Sequence, residues 1–166
     1  MIELLAKQIG QIIVQALRRQ YSLQGHRLTG KLNSSIEAVV SLTVTGARIS
    51  VLMEEYGIIL NNKVPASRIP YNPGVRTGAG RSQYIEGLKR FASLRFGLSG
   101  REALSAAFAI ARKQANEGMP TKGSFRFSRT GKRTGSINEA LQDTEKEIEE
   151  LTAQFLEEII INNLAA

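Results

Sequence analysis

Apolar residues recur along this chain with two different periods. In residues 2–22, Leu5, Ile9, Ile12, Ile13, Ala16 and Leu17 return at spacings of three and four, which predicts an amphipathic helix. Arg18 and Arg19 near its end suit the negative pole of the helix dipole. From Ile36 the period becomes two. Ile36, Ala38, Val40, Leu42 and Val44 alternate with Glu37, Val39, Ser41 and Thr43, and Ile49, Val51 and Met53 alternate with Arg48, Ser50 and Leu52. Thr45-Gly46 between the two runs reads as a tight turn, so the segment predicts a β-hairpin. A lone hairpin is marginal in water and needs helices or a neighbour to pack against.

Helical spacing returns twice in the middle of the chain. Ile85, Leu88, Phe91 and Ala92 predict a helix from Ser82 to about Phe96, and Leu104, Phe108, Ala111 and Ala115 predict another ending near Glu117. Ser99 and Glu102 have the spacing of a capping box, and Gly118 with Pro120 forms a stop signal. Ile137, Leu141, Ile148, Leu151, Phe155 and Ile159 then predict a last helix over 137–163, about 40 Å long. Between these elements, 25–35 reads as loop because of its two glycines, and 54–61 fits either a short helix or a strand. Pro65, Pro70 and Pro73 with Gly74, Gly78 and Gly80 mark 61–81 as a long loop, and 121–135 is a second one. The expectation is an α+β fold. It has an N-terminal helix, a small antiparallel hairpin or sheet, two middle helices, a long C-terminal helix and long loops.

Charge divides this plan. Residues 136–166 hold eight acidic residues and one basic residue, Lys146, while 63–135 hold fifteen basic residues against Glu86, Glu102 and Glu117. The reading is a basic body, 1–136, with loops at 61–81 and 121–135. It is followed by an acidic helix, 137–166, that packs on the same domain or on a neighbouring subunit. A strongly basic body seeks nucleic acid or acidic partner surfaces. There is no stretch of roughly 20 apolar residues, so no membrane span or membrane partner is expected.

Usable catalytic chemistry is scarce. The chain has no cysteine and one histidine, His26, so a Cys/His zinc site is excluded and a Ser-His-Asp triad would depend on one loop residue. Residues 128–135 (SRTGKRTG) fall short of a phosphate-binding loop, because Arg126 and Arg133 occupy positions that the pattern gives to Gly and to Ser or Thr. Glu145 with Glu149, and Glu147 with Glu150, share helix faces, but a solvated face explains them. No catalytic residue, cofactor or metal is expected, and the chain reads as a non-enzyme. The strongest binding candidate is 121–135. There Lys122, Arg126, Arg129, Lys132 and Arg133 are interleaved with Phe125 and Phe127, a mixture that can hold phosphates and stack on bases.

The order of features around the hairpin resembles a known family. An N-terminal helix leads into Leu28-Thr29-Gly30-Lys31-Leu32-x-x-Ser35-Ile36, and after the hairpin comes Glu55-Tyr56-Gly57. This resembles the head–tail connector, tail-completion or neck proteins of tailed bacteriophages. Thr29, Gly30, Leu32, Ser35 and Ile36 match the first element. Tyr56 and Gly57 match the second loosely, since the Glu precedes the Tyr and no Gly-Thr pair follows. The resemblance covers about the first 60 residues and the remainder by general plan. It implies a structural virion protein, assembled in the host cytoplasm and forming a homo-oligomeric ring at the junction of head and tail. Its partners would be further copies, portal or adaptor and tail proteins, and packaged DNA through charge. The alternative from the residues alone is a nucleic-acid-binding protein that uses segment 63–135 without sequence preference.

Overall fold

The computed structural model describes residues 1–72, 74 and 82–164. The fold is α+β, with an N-terminal helix and a long C-terminal helix; 63% of it is helical and 10% strand, so helix packing dominates the core. The elements in order are α1 (Ile2–Leu23), α2 (Lys31–Ser35), β1 (Glu37–Thr43), β2 (Gly46–Leu52), α3 (Glu55–Asn62), α4 (Gln83–Phe96), α5 (Gly100–Glu117) and α6 (Ser136–Leu164). They form two compact units. One combines Met1–Gly57 with Gly135–Ala166, and the other is Ile58–Thr134. The chain passes from one unit to the other after Gly57 and back again after Thr134.

In the first unit α1 lies between two neighbours. The hairpin packs on one side of it, with Ala38 opposite Val51, Val40 opposite Ile49 and Leu42 opposite Ala47 on one face. Helix α6 runs antiparallel along another side. Gln20 Nε2 donates to Asp143 Oδ2 at 2.6 Å, and Ser136 Oγ donates to Gln24 Oε1 at 2.8 Å. The most deeply buried row of α1 is therefore Ala6, Gly10, Val14, Leu17 and Tyr21, and the larger Leu5, Ile9, Ile12 and Ile13 flank it half-buried. A β-carbon on Gly10 would stand 2.9 Å from the Ala38 β-carbon and 3.5 Å from Ile49 Cγ2. Glycine is what lets the helix sit that close to the strands.

Several sequence expectations change in detail. The hairpin turn is Val44-Thr45, and Gly46 already pairs with Thr43 in the ladder. The supposed loop 25–35 contains α2, begun at Gly30 in the left-handed region (φ 79°). Of the ambiguous stretch 54–61, residues 55–61 resolve as helix, in α3, and Glu54 precedes it. Within 61–81, Val64 forms an antiparallel bridge with Met119, and Ala66–Arg68 make one 3₁₀ turn. Pro73, Gly78 and Gly80 of that expected loop lie outside the described residues. The capping box at Ser99 does not form: the amides of Glu102 and Ala103 donate to the Ser99 carbonyl, and its hydroxyl makes no cap bond. Ser82 does cap α4, accepting from the Ile85 amide at 3.2 Å.

The second unit is an antiparallel pair, α4 and α5. Gly97, with φ 68°, ends α4 and allows the reversal. Ala107 and Ala111 pack completely buried against Ile85, and Ala92 and Ala103 are also fully buried, small residues that let the two helices come close. Tyr71, Tyr84, Leu88, Leu104 and Phe108 cover that core, and Tyr84 donates its hydroxyl to Gln114 Oε1 at 2.6 Å.

Tyr21 ties α1 to α3. Fully buried, it donates its hydroxyl to the Gly57 carbonyl at 2.9 Å. Burial pushes its pKa up from 10.0 to about 12. An unfolded tyrosine ionises first as pH rises, so this stabilisation is complete below pH 10.0 and disappears towards pH 12. Tyr21→Phe should lower stability by about 1 kcal/mol at neutral pH, because the buried Gly57 carbonyl loses its donor. It should also flatten the decline between those two pH values. Urea unfolding followed by circular dichroism across that range checks both expectations.

Candidate nucleic-acid and partner interface

The residues that carry the family resemblance come together as a structural clasp. Leu32 and Ile36 are buried. Ser35 Oγ accepts the Glu54 amide at 3.1 Å and donates to the Leu32 carbonyl at 2.8 Å, which joins α2 to the end of the hairpin. Gly57 is packed so tightly that a β-carbon there would meet Leu32 Cδ1 at 2.8 Å and Met53 Sδ at 2.9 Å. Thr29 Oγ1 accepts the Lys31 amide at 3.4 Å, and Gly30 starts α2. Burial, with the Glu54 carboxylate nearby, raises the pKa of the half-exposed Tyr56. Sequence reasoning missed Tyr21, Met53 and the Lys31–Glu54 ion pair (2.8 Å), which complete the clasp. These residues hold backbone segments in place and present no convergent chemistry to solvent.

The basic segment 121–135 belongs to the second unit up to Thr134 and is a closed loop. At its base Val64 and Met119 exchange backbone hydrogen bonds of 2.6 and 2.9 Å. The Glu117 carboxylate accepts the Lys122 amide at 2.9 Å on one oxygen and pairs with Lys113 at 3.5 Å on the other. The Lys122 amide, more than any nearby cation, holds the Glu117 pKa below the usual carboxylate range. Further up, Arg133 Nη1 donates to Thr121 Oγ1 at 3.2 Å, and Gly123 lies directly against the Gly131 carbonyl. A turn follows in which the Phe127 and Ser128 amides both donate to the Ser124 carbonyl at 3.0 Å. Ser128 is buried, its hydroxyl 3.1 Å from Thr130 Oγ1.

This geometry divides the seven candidate contact residues. Lys122, Arg126, Arg129 and Lys132 are exposed. Arg133 is half-buried and braces the loop base; burial, and secondarily Arg95, lower its pKa below the usual arginine value. Phe125 is 81% exposed, with its ring against Gly131, where a β-carbon would approach ring carbons at 3.0 to 3.4 Å. Phe127 is 42% exposed, and the Arg126 guanidinium stands 5.4 Å from its ring centre, a cation–π contact.

Elsewhere the chemistry is sparse. His26 stacks edge-on against Tyr21, with ring centres 6.1 Å apart. Glu145, Glu147, Glu149 and Glu150 are exposed on α6. Among the described residues no cluster of His, Cys, Asp or Glu could hold a metal ion, and no helix is long and apolar enough to cross a membrane. An open groove of about 470 Å³ runs between α1 and the free edge of β1, lined by Lys7, Gln11, Arg18, Glu37 and Val40 among others. It holds no set of groups suited to a reaction. Compared with protein families, curated proteins and solved structures, the chain matches none.

Gly123→Ala should open the loop base, because the added methyl would collide with the Gly131 carbonyl. Trypsin should then cut the variant faster than the wild type at Lys122, Arg126, Arg129 and Lys132, with the thermal midpoint of the rest of the chain nearly unchanged. Timed digestion read by mass spectrometry is the check.

Proposed function

We propose that the chain is a structural subunit of a tailed-phage particle, forming an oligomeric ring at the head–tail junction. The observation that carries this reading is the way the two compact units divide the charge. Ile58–Thr134 has fifteen basic and three acidic residues, net +12, whereas Met1–Gly57 with Gly135–Ala166 has seven basic and twelve acidic, net −5. Copies of such a chain repel when the basic units face each other and attract when unlike units meet. Unlike-surface contact is heterologous association, which gives a ring when the rotation closes. The resemblance of Thr29, Gly30, Leu32, Ser35, Ile36, Tyr56 and Gly57 to the connector-protein pattern supports the head–tail junction as the position of the ring. Portal or adaptor and tail proteins are then the neighbours above and below, and packaged DNA meets the exposed cations. The work is assembly, not catalysis.

A second reading has its own support. Lys122, Arg126, Arg129 and Lys132 stand exposed on one loop, as a protein that binds nucleic acid through phosphates requires.

Purified protein at low salt should sediment as an oligomer and shift towards monomer as salt screens the charges, with a Debye length near 3 Å at 1 M. Cryo-electron microscopy of the phage should place the chain as a ring between portal and tail. A monomer at every salt concentration, together with absence of the chain from purified virions, overturns the ring. Arg126→Ser, Arg129→Ser and Lys132→Ser combined should weaken assembly or DNA retention without unfolding the monomer, since all three are exposed.

A further inference from the structure

We propose that the loop 122–132 is a binding site for single-stranded nucleic acid, with a base stacked on the open face of Phe125. The inference does not depend on the ring, because a monomer presents the same loop.

An aromatic ring that is 81% exposed contributes nothing to the core, and Phe125 is the most exposed phenylalanine of the chain. It does not dangle. One side of the ring rests against Gly131, a position with φ 73° where a side chain would displace the ring. The loop that carries Phe125 is closed below it by the Gly123–Gly131 contact and the Arg133–Thr121 hydrogen bond. The ring is thus held in place before any ligand arrives, which lowers the ordering cost of binding. The same loop carries Lys122, Arg126, Arg129 and Lys132, all exposed. The nearest acid in sequence, Glu117, has both oxygens engaged at the loop base, with Lys113 and the Lys122 amide. A ring to stack on and a set of cations for phosphates are the two parts of a single-strand site.

The same parts fit other anions less well. A duplex keeps its bases stacked on one another, so it would use the cations and leave Phe125 idle. A bilayer would need more apolar surface than this loop offers, since the second ring, Phe127, already faces Arg126.

Fluorescence anisotropy of the full chain with a labelled oligothymidine, and separately with a labelled duplex, tests the proposal. Phe125→Ala should weaken binding of the strand roughly tenfold and leave duplex binding unchanged. Phe125→Tyr should retain strand binding. Gly131→Ala should also weaken it, by moving the ring. With four phosphates neutralised, the logarithm of the strand affinity should fall with the logarithm of salt at a slope of about −3, and Arg129→Ala should reduce that slope by about 0.7. Unchanged melting curves for Phe125→Ala show that the loop, not the fold, is being read. The proposal is overturned if the wild type fails to hold the strand at low salt. Equal weakening of strand and duplex by Phe125→Ala also overturns it. So does a Phe125→Ala defect confined to phosphatidylserine vesicles.

Discussion

The first unit depends on how close α1 comes to the hairpin. A two-stranded sheet has too little buried surface to persist by itself, and α6 has acidic residues over much of its surface. Both borrow their stability from one helix. Gly10 sets the helix–strand distance, and the row through Ala6, Val14, Leu17 and Tyr21 fills the space on either side. The buried polar ties at Gln20 and Gln24 fix where α6 lies along α1, because each amide has a single well-placed partner across the contact. Changes elsewhere in the first unit therefore report on α1.

The long periodic elements were legible in the sequence, and the short ones were not. Helices α1, α4, α5 and α6 and the hairpin follow directly from periods near 3.6 and 2. Helix α2 has five residues and one buried side chain, Leu32, so no period could declare it. Helix α3 buries Gly57 alone, which carries no hydrophobic signal. Ser99 has the right spacing for a capping box, but its own carbonyl takes the Glu102 amide that the side chain would have served. The break after Gly57 was hidden for another reason. Composition marks a change near residue 136 alone, whereas the pairing of α6 with α1, more than a hundred residues away in sequence, is what joins the two ends of the chain in one unit.

The loop 121–135 was visible from composition, and its division of labour was not. Basic and aromatic residues alternate there without any mark of which face inward. Arg133 differs from Arg129 because Thr121 lies within reach of it, a relation set by the closure of Gly123 on Gly131. Ser35 and Gly57 show the reverse. Each stood out in the sequence, but only the structure gives it a mechanical role: Ser35 holds the Glu54 amide, and Gly57 offers its carbonyl to Tyr21.

Because the first unit is made of two separated stretches, its two parts leave the ribosome at different times. Helix α1 is synthesised early, and α6 begins only at Ser136. At typical synthesis rates the interval is on the order of ten seconds. During it the second unit, whose partners are close in sequence, can already close around Ile85 and Ala107. The face of α1 that receives α6 must wait in the open. The nascent chain is therefore most prone to aggregate or to meet a chaperone in the middle of its synthesis, and emergence of α6 ends that period.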